Sequence, residues 1–240
     1  MSKIPKIIHQ IWSETYKPLP EWFKELGETW KEDYPDWEYM FWDNDAMDKF
    51  IKEHYPQHMD IYSRFPYDIQ RWDSIRYLIL NKIGGMYVDC DYESICNMEE
   101  LIKDKSCCFA LEPELHSGAF GRTKKEQVFC NALMLSEPGH PFMKKIIETV
   151  FTEKMLVHEG IKEVCVLNTT GPWLISDLYY GLTQQEQEQI YLIPAKYVTP
   201  FTLPQARRFR MGEMSEELED CLKEAYAVHY FFSEWITTKD

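Results

Sequence analysis

The stretch GGMYVDCDYESI, residues 84–95, sets two glycines before a short apolar run and ends that run in two carboxylates one residue apart, Asp89 and Asp91. The apolar run reads as a buried strand, and the glycines end the helical pattern before it. Two carboxylates this close repel each other and stay ionised together only beside positive charge. A hard divalent cation meets that need, since Mg²⁺ and Mn²⁺ favour oxygen ligands. In an extended segment residues i and i+2 share a face, so both side chains can address one ion. Two carboxylates leave coordination positions open, and a diphosphate can fill them. Alone, a D-x-D pair is a weak signal, because many such pairs are solvated loop residues.

The segment just upstream sharpens it. FPYDIQRWDSIRYLILNKIGG, residues 65–85, reads as a long helix ended by Gly84. Ile69, Trp72, Ile75, Ile79, Leu80 and Ile83 fall on one arc at helical spacing, with Gln70, Ser74, Tyr77 and Asn81 opposite. Arg76 lies in the middle of the apolar arc and Asp73 at its edge, three residues apart, so the two can meet. A charge on a buried face is costly unless paired. The plain alternative is a pair that satisfies itself at the surface rim. If the helix packs beside the strand ending in Asp89, the pair instead points at the acidic cluster. There Arg76 can hold phosphate oxygens and Asp73 can accept from hydroxyls.

The rest of the chain alternates. Strands are expected at 6–12, 37–43, 86–89, 107–112, 128–136, 190–194, 197–201 and 225–231, the last three finishing the sheet. Helices are expected at 19–35, 45–55 with Asp45 as cap, 65–85, 140–155 and 171–182. This order predicts one α/β domain over 1–240, with a mostly parallel sheet flanked by helices. Such sheets bind ligands at the carboxyl ends of their strands. Asp43, Asp89 and the His9–Trp12 segment fall at such ends, the first sign of a shared site.

Composition narrows the partners. The formal net charge is −14, which argues against nucleic acid. One basic patch, Arg207-Arg208-Phe209-Arg210, reads as a solvated loop that could also meet phosphates. Seven Cys without a C-x-x-C spacing read as free thiols. The N-terminus lacks the apolar core of a signal peptide, and no stretch reaches the ~20 apolar residues of a membrane span. A soluble cytoplasmic protein is expected.

Assembled in order, IPKIIHQIW, RWDSIRYLILNKIGGMYVDCD, HPF, TTGP and HYFFSEW resemble glycosyltransferase family 32 over nearly the whole chain. That family includes fungal Golgi mannosyltransferases and bacterial capsule enzymes, and its DXD block looks like that of the clostridial glucosylating toxins. The resemblance implies a GT-A fold, a nucleotide-sugar donor, Mn²⁺ or Mg²⁺, and retention at the anomeric carbon. It implies that Asp91 is a direct metal ligand and that Asp89 faces ribose or metal-bound water. Asp73 matches the residue that holds donor sugar hydroxyls, and Arg76 the one near sugar and phosphate. Trp12 lies in the segment that contacts the base. His229 matches a C-terminal metal ligand, and Ser233 and Trp235 the S-x-W that closes over the diphosphate. Asn131 is placed at the sugar or acceptor. The chain shows neither the membrane anchor of the Golgi members nor the insertions of the toxins, so donor and acceptor do not carry over from either.

The expected chemistry is transfer of a hexose, from a UDP-sugar rather than a GDP-sugar, to a glycan or lipid-linked acceptor in capsule or surface polysaccharide synthesis. The basic patch would rest peripherally on the inner membrane face. His9 is expected to be structural. Glu112 and Glu114 either line the acceptor side or belong to a solvated loop, and the Trp22–Trp30 helix is expected in the core. A metal-dependent phosphohydrolase would need a second ligand cluster, and none is expected from the sequence. Two other readings stay open: a non-catalytic nucleotide-sugar binding module, and an effector that glycosylates protein.

Overall fold

The computed structural model describes residues 3–15, 17–121, 126–157 and 160–233. Its strands are β1 (Ile7–Ile11), β2 (Glu38–Trp42), β3 (Gly85–Val88), β4 (Tyr92–Ser94), β5 (Cys107–Leu111), β6 (Phe129–Ser136), β7 (Tyr191–Ile193) and β8 (Ala227–His229). Among the described residues, six strands form one sheet in the order β2-β1-β3-β6-β5-β7, and β4 and β8 form a separate pair. β1 runs parallel to β2 and β3, and β5 parallel to β7. β6 runs antiparallel to both β3 and β5 and so joins the two parallel halves.

Period-two patterning splits the core between the sheet's two faces. Tyr87, Phe109 and Met134 pack with Phe50, Ile75, Ile79 and Ile146 from the helices Asn44–His54, Asp68–Lys82 and Pro141–Val150. Met86, Val88, Cys108 and Leu135 face the other way, onto Ile8 and Trp30. The Trp30 indole donates to the Tyr92 carbonyl at 3.0 Å, tying the helix Glu21–Asp33 to β4. Trp22, on the same helix, instead packs on Phe232, with ring centroids 3.8 Å apart. The expected core role thus holds for Trp30, whereas Trp22 meets the segment that follows β8.

The two glycines answer to geometry. Gly84 and Gly85 have φ of +76° and +100°, a region that favours glycine. A Cβ on Gly85 would lie 2.5 Å from the Ile7 carbonyl oxygen, so β3 approaches β1 too closely for any side chain there. His9 locks the same corner. Its Nε2 donates to Gly84 O at 2.8 Å and its Nδ1 accepts from the Trp42 indole at 3.2 Å. Both ring nitrogens are thereby satisfied in a neutral ring, and burial pushes its pKa down to about 4. The structural role expected of His9 agrees with these contacts.

Several local expectations are corrected. Residues 197–201 do not form a strand. Pro194 opens a helical turn, Ala195–Val198, and Pro200 has no N–H to give a ladder. The 225–231 segment does not join the main sheet, because its strand pairs with β4, which the sequence reading missed. Asp43, not Asp45, caps the second helix and accepts from Ala46 N–H at 2.8 Å. The 140–155 helix stops at Val150. Arg207–Arg210 lie on a helix, Leu203–Arg210, started by a Thr202–Gln205 capping box. The long helix has no solvent face over most of its length: Gln70, Ser74 and Tyr77 are buried too. Helices Lys162–Thr169 and Pro172–Tyr180 were not both anticipated, and Gln70 Nε2 donates to Thr169 Oγ1 at 2.8 Å.

All seven cysteines are free. Among the described residues no helix is long and apolar enough to cross a membrane.

Candidate metal and sugar-nucleotide site

β3 ends at Val88, and Asp89 continues its ladder by donating its N–H to Ala132 O at 2.8 Å. The chain then turns, with Tyr92 N–H donating to Asp89 O at 3.2 Å. The D-x-D is therefore a turn and not the extended segment expected. The turn brings Asp89 and Asp91 together, and β4 then places Tyr92 opposite His229 in the β4–β8 ladder. That register delivers His229 to Asp91, Nε2 to Oδ1, at 3.2 Å. One ligand atom from each of Asp89, Asp91 and His229 lies within 4.8 Å of the others.

Positive charge on the protein already faces both carboxylates. Arg76 Nη1 stands 3.2 Å from Asp89 Oδ1, and His229 answers Asp91. Burial raises the Asp89 pKa, and Asp91 adds to the rise against the pull of Arg76. Burial also acts to raise the Asp91 pKa, but His229 and the Phe232 N–H at 2.9 Å outweigh it, and the net shift is downward. Burial acts to lower the His229 pKa and the Asp91 charge overrides it, so the imidazole is held well above its ordinary value.

Arg76 is the brace of the site. Nη2 meets Asp73 Oδ1 at 3.1 Å, Nη1 also donates to Asn131 O at 3.0 Å, and Nε donates to Trp72 O at 3.2 Å. The guanidinium carbon sits 4.6 Å from the Tyr87 ring centre. The pair is thus buried, not at a surface rim. Asp73 also accepts from Asn131 Nδ2 at 3.0 Å on Oδ1 and from Thr170 Oγ1 at 2.9 Å on Oδ2. Burial nonetheless pushes the Asp73 pKa up to about 6, against Arg76. Asn131 Nδ2 reaches Tyr77 Oη as well, at 3.1 Å.

Asp73, Arg76, Asp89, Asp91, Asn131 and His229 line one cleft of about 360 Å³, together with Trp12, Phe23, Cys130 and Ser233. Trp12 follows β1, meets Phe23 edge-on with centroids 5.4 Å apart, and donates Nε1–H to Lys17 O at 3.1 Å. Ser233 has φ +51° and Phe231 +49°, and between them the Phe232 N–H donates to Asp91 Oδ2 at 2.9 Å. Trp235 lies outside the described residues. Asp43 is spent on its helix cap and does not line the cleft, which removes it from the expected cluster. Glu112 does line it, with Oε2 2.8 Å from His116 Nδ1, whereas Glu114 is exposed and does not.

Sequence reasoning missed Thr170, Tyr77, Cys130 and His116. Thr170 stands in the TTGP motif, and a hydroxyl before a helix-starting Gly-Pro was a usable signal. The others carry no spacing signal, since strand and helix crossings bring them in. His140, of the HPF motif, caps its helix by accepting the Phe142 N–H at 3.2 Å.

Residues 20–107 match the family described as "Glycosyltransferase sugar-binding region containing DXD motif". The chain belongs to the DXD glycosyltransferases. It is 31% identical over 176 residues to inositol phosphoceramide mannosyltransferase 3 of Schizosaccharomyces pombe, covering 73% of this chain and 45% of that protein. An uncharacterized glycosyltransferase of Acanthamoeba polyphaga mimivirus is 28% identical, covering 97% of this chain and 84% of that one. The chain spans about half the length of the fungal mannosyltransferases it matches. The PaToxG glycosyltransferase structure superposes with a TM-score of 0.55 at 16% identity, over 93% of this chain and 89% of that one. The architecture is the expected GT-A fold, a mixed sheet flanked by helices.

Proposed function

We propose that this chain is a retaining, metal-dependent hexosyltransferase that uses a nucleoside diphosphate sugar. The observation that carries the reading is the Asp89–Asp91–His229 ligand cluster in the cleft that also holds the Asp73–Arg76 pair. Two carboxylates and one imidazole suit a divalent cation, and the imidazole favours Mn²⁺ over Mg²⁺. Bound there, such a cation supplies neutralisation of the diphosphate and of the charge that grows as it leaves.

The chain's own groups do the rest. Arg76 fixes Asp73 and Asp89 in one orientation before substrate arrives, which is electrostatic preorganisation. An ionised carboxylate has about four acceptor sites, and Asp73 uses three on protein, leaving room for one sugar hydroxyl. Asn131 spends its amide hydrogens on Asp73 and Tyr77 and offers its carbonyl to a second hydroxyl. Held so, C1 presents one face to the acceptor. The bond from C1 to the phosphate oxygen breaks, the bond to the acceptor oxygen forms on the same face, and the departing phosphate takes the acceptor's proton. Asp73, Asp89 and Asp91 are all engaged, which leaves none of them as a nucleophile. A glycosyl adduct on Glu112 or Glu163, the other cleft carboxylates, detected by mass spectrometry would contradict this step.

The acceptor is a glycan or lipid-linked glycan, in surface polysaccharide synthesis. Membrane contact would fall to Arg207 with Met211 and Met214, which are 81% and 67% exposed. Arg208 is clamped by Glu213 and Glu217, and Arg210 stacks on Phe232. For the donor base we favour uridine. The names of the fungal relatives support a second reading for the sugar, transfer of a mannosyl unit. A panel of UDP- and GDP-sugars with Mn²⁺, followed by proton NMR, tests both points. The cleaved donor names base and sugar, and first release of the donor's own anomer supports retention. First release of the opposite anomer would exclude it.

A further inference from the structure

His229 is held on every side. The Tyr92 ring lies flat against it, with centroids 4.5 Å and planes 3° apart, and the Phe231 ring stands 4.0 Å away. Nε2 faces Asp91. Nδ1 meets the Cys130 sulfur at 3.7 Å, and the Tyr92 hydroxyl reaches the same sulfur at 3.6 Å. Cys130 sits on β6, is 1% exposed, and lines the cleft. Cys130 pairs with Ala110 of β5 in the main sheet, and the separate β4–β8 pair carries His229 against it.

We propose that Cys130 is a positioning residue whose sulfur accepts the Nδ1 hydrogen of His229 and so presents the Nε2 lone pair to the cation site. This rests on the metal reading given above. An imidazole that ligates through Nε2 must carry its hydrogen on Nδ1. The second nitrogen of a ligating histidine ordinarily donates to a carboxylate, carbonyl or water, which fixes tautomer and ring angle. Here a thiol fills that place. Sulfur is a weak acceptor, so it sets the tautomer while raising the basicity of the imidazole little. The two carboxylates then carry most of the cation's charge, and Tyr92 and Phe231 hold the ring plane that the weak bond alone would not.

The test compares Mn²⁺ binding, by electron paramagnetic resonance of the free ion, in wild type and in Cys130→Ala, Cys130→Val and Cys130→Ser. Valine fills the sulfur's space without an acceptor and so separates a cavity effect from the lost hydrogen bond. The His229 tautomer is read in parallel by long-range proton–nitrogen NMR with Mg²⁺ bound. Alanine and valine should weaken Mn²⁺ binding on the order of tenfold and leave the tautomer mixed, and serine should restore both. Alanine and valine variants that bind Mn²⁺ as wild type does, with the Nδ1–H tautomer intact, would overturn the assignment of Cys130. Failure of wild type itself to bind Mn²⁺ would overturn the metal reading instead.

Discussion

Arg76 reaches Asp89 across the boundary between the long helix and the D-x-D turn, Nη1 to Oδ1, at 3.2 Å. Its other Nη reaches Asp73 at 3.1 Å. One buried fork thus serves two carboxylates from different elements, and the Asp73 side of the cleft is coupled to the Asp89 side. Replacing it should be costly. Arg76→Leu leaves Asp73 buried without its cation, a loss of about 3–5 kcal/mol. Arg76→Lys keeps the charge but lacks the fork and should cut donor turnover at least about tenfold, because one point charge cannot hold both carboxylates. Urea unfolding and donor-hydrolysis rates measure the two effects. A stable Arg76→Leu protein with near-native turnover contradicts this role.

The double glycine makes a second prediction. Alanine at Gly85 meets both the positive φ and the Ile7 carbonyl, so Gly85→Ala should lose about 2 kcal/mol or more. Gly118, exposed and with nothing near its Cβ position, serves as the control, and Gly118→Ala should change stability little. Thermal unfolding of the pair decides whether the β3–β1 approach is as tight as described.

His9 gives stability a pH dependence. Its folded pKa of about 4 lies below the ordinary 6.5, so the folded chain binds fewer protons than the unfolded chain between those values. Stability from this group is whole above pH 6.5 and falls as pH drops toward 4, by about 3 kcal/mol in total. Asp73 has the opposite sign. Its folded pKa of about 6 stands above 3.8, so its contribution falls as pH rises between those values. The two partly cancel in wild type, and the comparison of variants is what reports. His9→Gln should remove the acid loss and shift the curve one way, and Asp73→Asn should shift it the other. Denaturation midpoints from pH 4 to 7 test this, and parallel curves for all three proteins would contradict it.

Much of this site was legible because its chemistry is local in sequence. The Gly-Gly, the strand and the D-x-D follow one another, and Asp73 and Arg76 are one helical turn apart. The turn at Asp89–Tyr92 was not legible, since apolar alternation continues through Tyr92 as if the strand did. Nor was the β4–β8 pair, whose strands are three residues each and lie more than a hundred residues apart. That pairing alone brings His229 to Asp91, which is why the histidine was reached through family resemblance and not through spacing. Residues 197–201 misled because Tyr, Val and Thr favour strands, while Pro194 before the segment and Pro200 within it dictated a helical turn.

The most direct test of the central claim is donor cleavage with Mn²⁺, measured as release of free nucleoside diphosphate by wild type and by Asp91→Ala. The account predicts that wild type cleaves one nucleotide sugar of the panel, that chelation stops it, and that Asp91→Ala neither cleaves that donor nor binds Mn²⁺ with comparable affinity. Equal, metal-independent cleavage by both proteins would contradict the role given to the acidic pair.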